Sequence, residues 1–220
     1  MTKTSKSMRN DDLFMRNKYK MVGKFDIPLV KKQNIDIENI QLIAYSDINK
    51  IMPLLDKLYG VHFFVDDYRM DKIYAQPKDY LNKLSRFGYV LTPDYSLYAE
   101  MPNTVQKYNV FRNRWCGAYW QEQGLTVIPT ISWGLAPTFE FCFDGVEQSS
   151  IVAISTVGCL KARLNFMRGY NKMLEKINPK AIICYGKTFS EMEGNIIEVP
   201  YFRNVKEVAW WGDVVHLQVV

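Results

Sequence analysis

From residue 40 onward, short apolar runs alternate with longer amphipathic stretches. Each short run is rich in β-branched or aromatic residues and is bounded by Gly, Pro or polar residues, a pattern typical of strands buried on both faces. Strands are predicted at 40–45, 61–65, 89–92, 126–131, 151–155 and 181–185, with further candidates at 196–199 and 214–219. The stretches between them predict helices at 47–58, 70–86, 101–123 and 160–177.

Breaker residues follow these helices where each helix is expected to end. Gly88 and Gly124 lie just beyond the second and third helices, and Pro179 follows the fourth. Strand–helix–strand units repeated about every 25–35 residues indicate βαβ crossovers and a parallel sheet. Residues 33–220 are therefore predicted to form one α/β domain, a compact or incomplete (β/α) barrel. An open doubly wound sheet is the alternative.

Positive charge is concentrated at the start of the chain. Residues 1–32 hold nine basic and three acidic residues, whereas the whole chain of 220 residues carries a formal charge of +5. The remainder is therefore close to neutral. A basic, partly flexible arm on a neutral body is able to hold a polyanion through counterion release. The alternative is a solvated leader without a partner.

The composition narrows the class of protein. The chain is 48% hydrophobic and 23% charged, which excludes a disordered or fibrous protein. No apolar run approaches the roughly 18 residues that a membrane helix needs, and the polar N-terminus has no apolar signal segment. We therefore expect a cytoplasmic protein that does not bind a membrane.

Cysteine spacing and glycine motifs argue against a bound cofactor. The four cysteines include no C-x-x-C pair and the chain has two histidines, so we expect no local zinc site and expect reduced, buried thiols. Neither G-x-G-x-x-G after the first strand nor G-x-x-x-x-G-K-[ST] occurs. No cofactor and no metal is predicted. A metal held by Asp94 with Asp66 or Asp67 is a lesser alternative.

Polar and aromatic residues follow the predicted strands. In a parallel α/β architecture the carboxyl ends of the strands gather functional groups at one rim. Carboxylates, hydroxyls, aromatic rings and a lysine would converge there and form a pocket for a planar, polar ligand. The candidates from these strand ends are Asp66, Asp94, Tyr95, Ser96, Tyr98, Ser132, Trp133, Ser155, Thr156, Tyr185 and Lys187.

Asp94 is the leading catalytic candidate, with Asp66 as a second carboxylate. Asp94 follows a strand and a proline that fixes the backbone, so its carboxylate could act as nucleophile or general base, or could bind the edge of a nucleobase. The alternative is that Asp94 caps the following turn. Asp66 and Asp67 are adjacent on an extended chain, so at most one of them faces the site.

The helix predicted at 101–123 adds two arginine candidates, Arg112 and Arg114. Arg112, Trp115 and Tyr119 share one helix face by their spacing. One interpretation is a surface that stacks on bases and contacts phosphate. The other is that Trp115 and Tyr119 belong to the core and the arginines solvate the outer face.

Six ordered motifs resemble the family called domain of unknown function 4417. They are VDDYR at 65–69, VLTPDYSLY at 90–98, RNRW at 112–115, IPTISW at 128–133, CFDG at 142–145 and STVGC at 155–159. The resemblance covers roughly residues 25–190. It implies a mobile-element context, because the family occurs in bacteria, phages and other mobile elements. It supplies no activity.

A fainter similarity concerns the order of motifs in barrel enzymes of the tRNA-guanine transglycosylase type and their DNA-modifying relatives. PDYS at 93–96, VIP at 127–129 and STVG at 155–158 follow the order of that family's aspartate nucleophile, V-I-P strand and glycine-ended strand. The double glycine beside the family's nucleophile is absent, and so is its cysteine-rich zinc site.

These observations predict a phage or mobile-element protein that acts on nucleic acid or nucleotides. The concrete form is a DNA base glycosylase or transglycosylase in which Asp94 stabilises or traps the developing sugar cation. Tyr95, Tyr98 and Trp133 would stack on a flipped base. The alternative is a non-catalytic nucleotide- or DNA-binding module, used in anti-defence sequestration or as a replication accessory factor.

Overall fold

The computed structural model describes residues 4–201 and has a mixed α/β fold built on parallel sheets. Strands β3, β4, β5 and β6 form one sheet and β7, β8 and β9 a second, while β1 and β2 form a small antiparallel pair. The strands are β1 (Met21–Val22), β2 (Ile27–Pro28), β3 (Leu42–Ala44), β4 (Gly60–His62), β5 (Tyr89–Leu91), β6 (Val127–Ile128), β7 (Ile151–Ser155), β8 (Ala181–Tyr185) and β9 (Ile196–Val199).

The two parallel sheets are joined where β6 ends. Thr130 and Ala153 form a parallel bridge. The N–H of Ile131 donates to the carbonyl of Ala153 at 2.8 Å, and the N–H of Ala153 donates to Pro129 at 2.9 Å. Seven strands therefore succeed one another in chain order, all parallel, from β3 to β9.

The seven parallel strands curve so that one face of the joined sheets surrounds a common core. A single buried cluster draws side chains from five strands, among them Leu91, Ile128, Ala153, Ile183 and Val199. Near the carboxyl ends of the strands, the ring of Tyr185 from β8 lies 4.4 Å from the ring of His62, the last residue of β4. The Tyr185 ring also stacks on Phe64, just after β4, at 5.2 Å. Strands from the two sheets therefore face each other across the core. Burial lowers the pKa of His62 to about 3, so this histidine is neutral.

Two long helices cover the outside of the sheets. The helices are α1 (Ser5–Arg9), α2 (Asp12–Met15), α3 (Asp71–Ala75), α4 (Leu81–Leu84), α5 (Asn103–Glu122) and α6 (Arg163–Ile177). Helices α5 and α6 lie where the sequence predicts them. Along residues 4–201, no helix is both long enough and apolar enough to cross a membrane.

Proline breaks two of the predicted helices. The prediction of one helix at 47–58 is wrong, because two 3-10 helices, Tyr45–Lys50 and Pro53–Leu58, lie there. The predicted helix at 70–86 is likewise divided at Pro77 into α3, a 3-10 turn and α4. Each proline begins a new helical segment because its ring blocks continuation of the preceding one. The candidate strand at 196–199 is β9, whereas the candidate at 214–219 lies outside the described residues.

The described part of residues 1–32 packs on the α/β body from Leu13 onward. The guanidinium of Arg16 lies 3.8 Å from the ring centre of Trp115 and 4.3 Å from that of Tyr74, and it donates to the carbonyl of Tyr74 at 2.8 Å. Ile27 and Val30 are completely buried. A cation over two aromatic faces and two buried aliphatic side chains anchor this segment.

Arg114 on α5 is buried, and it connects the helix to the loops after β6. Its guanidinium donates to the backbone carbonyls of Thr130, Cys142 and Asp144 at 2.8, 2.9 and 3.0 Å, and to the side-chain oxygen of Asn113 at 2.6 Å. Burial lowers the pKa of Arg114 to about 10, so it stays charged at neutral pH. Four acceptors around one cation hold these loops against the helix.

We expect Arg114→Ala to lower the free energy of unfolding by at least about 3 kcal/mol, because it leaves several buried carbonyls without a donor. Chemical denaturation followed by circular dichroism measures this loss. Arg168→Ala, on the exposed face of α6, is the matched control and should change stability by less than about 0.5 kcal/mol. Equal stability of the two variants would contradict this role of Arg114.

Candidate functional site

The carboxyl ends of β4, β5, β6 and β7 surround a pocket of about 370 Å³. This volume lies in the range of small-molecule sites. The pocket combines two carboxylates, four hydroxyls, a thiol and an apolar wall. It is lined by Phe64, Val65, Asp66, Asp94, Ser96, Leu97, Tyr98, Ile131, Ser132, Trp133, Ser155, Val157, Cys159 and Phe166.

Two asparagines of α5 fix the loop that carries Asp94. The side-chain amide of Asn113 donates to the carbonyl of Pro93 at 2.7 Å, and that of Asn109 donates to the carbonyl of Ser96 at 2.6 Å. Asn109 and Asn113 are one helical turn apart and both are buried. The loop from 93 to 96 is thereby held at both ends, and Asp94 is presented to the pocket between these two anchors.

The carboxyl group of Asp94 is only partly satisfied by hydrogen bonds. Its Oδ1 atom is buried and has no hydrogen-bond partner among the described residues. Burial raises the pKa of Asp94 to about 7, and the negative charge of Asp67 acts in the same direction. A hydrogen bond from Ser132 and the charge of Arg114 oppose this rise. Asp94 therefore changes its protonation state near neutral pH, as catalytic carboxylates do.

A second carboxylate, Asp67, fixes the loop from outside the pocket. It accepts hydrogen bonds from the hydroxyl of Ser96 at 2.8 Å and from the Ser96 N–H at 3.2 Å. Arg112 lies 3.8 Å from Asp67 and 3.0 Å from Asp71. Asp66, the neighbour of Asp67, is exposed and lines the pocket. Asp66 thus lines the pocket, whereas Asp67 supports the loop from outside it.

Aromatic side chains form much of the apolar wall. Trp133 packs against Phe166 of α6, with ring centres 5.0 Å apart. Gly169, one turn further along α6, is buried beneath Trp133, and a Cβ atom at that position would collide with the indole. Phe64 and Tyr98 complete this part of the lining. Flat rings beside a carboxyl group suit a flat, polar ligand.

Seven of the predicted site residues line this one pocket, although they come from four separate strand ends. They are Asp66, Asp94, Ser96, Tyr98, Ser132, Trp133 and Ser155. The convergence expected from a parallel sheet is therefore observed for these residues.

Six predicted site residues lie elsewhere. Tyr95 is buried below the loop, where the guanidinium of Arg112 covers its ring at 3.6 Å from the ring centre, and Arg114 is enclosed by backbone carbonyls. Trp115 and Tyr119 belong to the core, as the alternative interpretation of that helix face predicts. The arginines do not solvate an outer face as it also predicts, because Arg114 is buried and the Arg112 side chain is largely covered.

The other three follow β7 and β8. Thr156 is buried and hydrogen-bonds to the thiol of Cys184. Tyr185 is directed into the core of the curved sheet, where it stacks on Phe64. Lys187 is exposed and does not line the pocket. Side chains alternate along a strand, so strand-end residues in neighbouring positions cannot all face the same pocket.

The pocket also includes residues that were not predicted. Phe64, Val65, Leu97, Ile131, Val157 and Phe166 supply apolar surface, and Cys159 supplies a thiol. Burial raises the pKa of Cys159, so its thiol is protonated at neutral pH. The sequence places Cys159 in the polar segment after β7, which was a usable signal. Phe166 has no such signal because it reaches the pocket from the first turns of a helix.

No Lys or Arg is found among the lining residues that the structure describes, and both charged side chains there are carboxylates. Within residues 4–201, no group of three or more His, Cys, Asp or Glu side chains is arranged to hold a metal ion. The pocket therefore favours a neutral or cationic ligand over a free phosphate.

Comparisons with known proteins give relatives among bacteriophages. The chain is 42% identical over 131 residues to the Gene 1 protein of Mycobacterium phage L5, a match that covers 58% of this chain and 57% of the relative. It is 41% identical over 131 residues to the Gene 1 protein of Mycobacterium phage D29, covering 58% and 48% of the two chains. The match thus spans about half the length of these curated relatives. No solved structure matches the chain.

The model of one protein family matches residues 19–203, a range that contains β1 to β9 and every residue of the pocket. The six ordered motifs that resemble this family lie within that range. The chain belongs to the family described as domain of unknown function (DUF4417).

Proposed function

We propose that the pocket receives one nucleobase with its sugar and that Asp94 assists cleavage or exchange of the N-glycosidic bond. The observation that carries this proposal is the Asp94 carboxyl group, which has a buried oxygen without a hydrogen-bond partner and lies in a pocket with aromatic walls. The raised pKa of Asp94, about 7, makes both protonation states accessible in the cell. DNA from the phage or its host is the proposed source of the base.

The strand order supports the architecture that this proposal needs. Seven parallel strands in chain order are the arrangement of a (β/α) barrel, whereas a doubly wound sheet reverses its order at a switch point. We propose that the curved sheet is an incomplete barrel with its site at the carboxyl ends of the strands. The faint similarity of motif order to transglycosylase-type barrels agrees with this placement of Asp94.

The chemistry is one substitution at the anomeric carbon. The bond from C1′ to the base nitrogen breaks with its electron pair on the base, and the base takes up a proton from solvent. The ionised Asp94 carboxylate stabilises the sugar cation or forms a bond to C1′. Water, or a second base, then attacks C1′, loses a proton to solvent and releases Asp94. With water the net reaction is hydrolysis; with a base it is exchange.

The lining decides which part of a nucleotide enters. Among the described residues, the lining holds two carboxylates and no cation, which disfavours a phosphate group inside the pocket. Asp66 and Asp94 are acceptors for the amino and imino groups of a base edge when ionised, and Trp133 and Tyr98 offer faces for stacking. We therefore favour the base and sugar as the bound part, over sequestration of a free phosphorylated nucleotide.

Asp94→Asn should lower base release or exchange at least about 100-fold, because the amide cannot stabilise the cation as a carboxylate does. The measurement is chromatographic detection of free base from deoxynucleosides and from single-stranded and duplex oligonucleotides that each carry one type of target base. Asp79→Asn, at an exposed carboxylate outside the lining, is the matched control and should keep wild-type activity. An equally active Asp94→Asn variant would exclude this mechanism.

Alkylation of Cys159 measures binding separately from turnover. Cys159 is the one cysteine of four that is not fully buried. A base or nucleoside in the pocket should slow alkylation of Cys159 by iodoacetamide, which mass spectrometry detects. Protection without base release from any substrate would favour the non-catalytic binding module. Absence of protection by every base and nucleoside would contradict the assignment of the pocket.

Activity should rise with pH and reach half of its maximum near pH 7, where Asp94 becomes ionised. Ser132→Ala removes a hydrogen bond that favours the ionised form, so the pKa of Asp94 should increase further. The midpoint of the pH–rate profile should then move to higher pH while the plateau rate stays within a few-fold. A midpoint that stays in place would contradict the coupling of Ser132 to Asp94.

Asp94 should also make the fold less stable in alkaline solution. Its pKa in the fold is above the ordinary 3.8, so the stability that its neutral form contributes is present at low pH and is lost as the pH rises through about 7. Asp94→Asn should therefore have a higher Tm than the wild type at pH 8.5, with the difference disappearing near pH 4. Differential scanning fluorimetry across this range measures the effect, and a difference independent of pH would contradict it.

A further inference from the structure

A groove of about 540 Å³ lies at the other end of α5 from the pocket. It is formed by the chain around β1 and β2 together with the last turns of the helix. Its lining is Lys18, Tyr19, Lys20, Leu29, Lys31, Lys32, Gln33, Ala118, Gln121 and Glu122. Asn109, which anchors the pocket loop, is twelve residues before Gln121 on α5, or about 18 Å along the helix axis.

Hydrogen bonds hold the backbone that carries the lysines. The amide side chain of Gln121 accepts from the N–H of Lys31 at 3.0 Å and donates to its carbonyl at 2.7 Å. The N–H of Lys32 donates to the carboxylate of Glu147 at 2.7 Å. The carbonyl of Lys20 accepts from the N–H of Leu29 at 2.8 Å. The three lysines therefore project from fixed positions.

The groove keeps unbalanced positive charge. Glu122, the one acidic side chain among the described residues that line the groove, is bound by Lys18 at 2.5 Å and by the hydroxyl of Tyr19 at 3.0 Å. Among residues 4–201, the exposed ammonium groups of Lys20, Lys31 and Lys32 have no acidic partner within ion-pair distance. Three uncompensated cations on one concave surface attract a polyanion.

We propose that this groove binds the sugar–phosphate backbone of a nucleic acid, independently of the pocket. All the cations that line it are lysines, which act as point charges toward phosphates. No arginine lines the groove among the described residues, so its cations attract an anion by charge rather than by two-pronged hydrogen bonding. Leu29 and Ala118 give the floor an apolar surface against which sugars can lie. A sugar–phosphate backbone supplies both a row of negative charges and sugars for this floor, whereas an acidic peptide supplies only the charges.

The position of the groove separates two contributions to nucleic-acid binding. The groove lies beside the amino-terminal end of β6, because its lining residue Gln33 accepts a hydrogen bond from the N–H of Val127, the first residue of that strand, at 2.6 Å. The pocket lies at the carboxyl ends of the same strands. Backbone affinity should therefore reside in the groove and remain when Asp94 is replaced.

The test compares two variants that each lose three positive charges. One is Lys20→Gln, Lys31→Gln and Lys32→Gln together. The control is Lys72→Gln, Lys83→Gln and Lys176→Gln, which removes exposed lysines from α3, α4 and α6. Fluorescence anisotropy with labelled single strands and duplexes of about 20 nucleotides gives the affinity of the 220-residue chain between about 50 and 300 mM salt.

The groove variant should bind roughly 100-fold more weakly near 0.1 M salt, and its log–log salt slope should fall by about 2 for single strands. The control should keep the wild-type slope apart from a small uniform change. Equal losses in both variants, or preferential binding of poly-glutamate by the groove, would overturn the proposal. Because Asp94→Asn should bind DNA like the wild type, failure here and failure of the glycosidic proposal are observed separately.

Discussion

The pocket depends on buried hydrogen-bond donors of a single helix. The loops after β5 and β6 leave the sheet, so their carbonyl groups lose the partners that a strand ladder would provide. Helix α5 replaces those partners with Asn109, Asn113 and Arg114, whose donors reach the carbonyls of Pro93, Ser96, Thr130, Cys142 and Asp144. A buried carbonyl without a donor costs about 1–3 kcal/mol, so this helix face decides whether the loops have one conformation. The position of Asp94 follows from that constraint.

A fixed loop is also what allows Asp94 to remain unsatisfied. A flexible loop would turn the carboxylate toward water, whereas the two asparagine anchors keep one of its oxygens buried without a partner. The free-energy cost of burying that oxygen without a partner is offset by the hydrogen bonds of the groups around it. Strain and desolvation retained in this way are a common property of functional sites. The raised pKa is thus a consequence of the fold as much as of the residue.

The sequence predicts the succession of strands and the convergence of their ends, because both follow from short-range patterns and from the geometry of parallel sheets. It does not predict that Arg114 is a core residue. An arginine among aromatic residues resembles a binding surface until its four acceptors, distant in sequence, are known. Tyr185 was misplaced for a related reason, since a strand end does not reveal which face points inward once the sheet is curved. The amphipathic pattern of residues 70–86 predicts one continuous helix, whereas Pro77 divides it in the structure. The sequence does show this proline.

The two ends of α5 lie beside surfaces of opposite charge, which argues against a single uniform surface for nucleic acid. In the part of the chain that the structure describes, the pocket is lined by carboxylates and no cation, and the groove is lined by lysines whose single acidic neighbour, Glu122, is already paired with Lys18. A phosphate backbone that passed the pocket closely would meet Asp66 and Asp94, whose repulsion is strongest where water is excluded. The same backbone in the groove would meet three unpaired ammonium groups, which ionic strength screens but does not cancel at contact. A base that reaches the pocket must therefore extend away from its phosphates, and the strand that carries it need not be the strand that the groove holds.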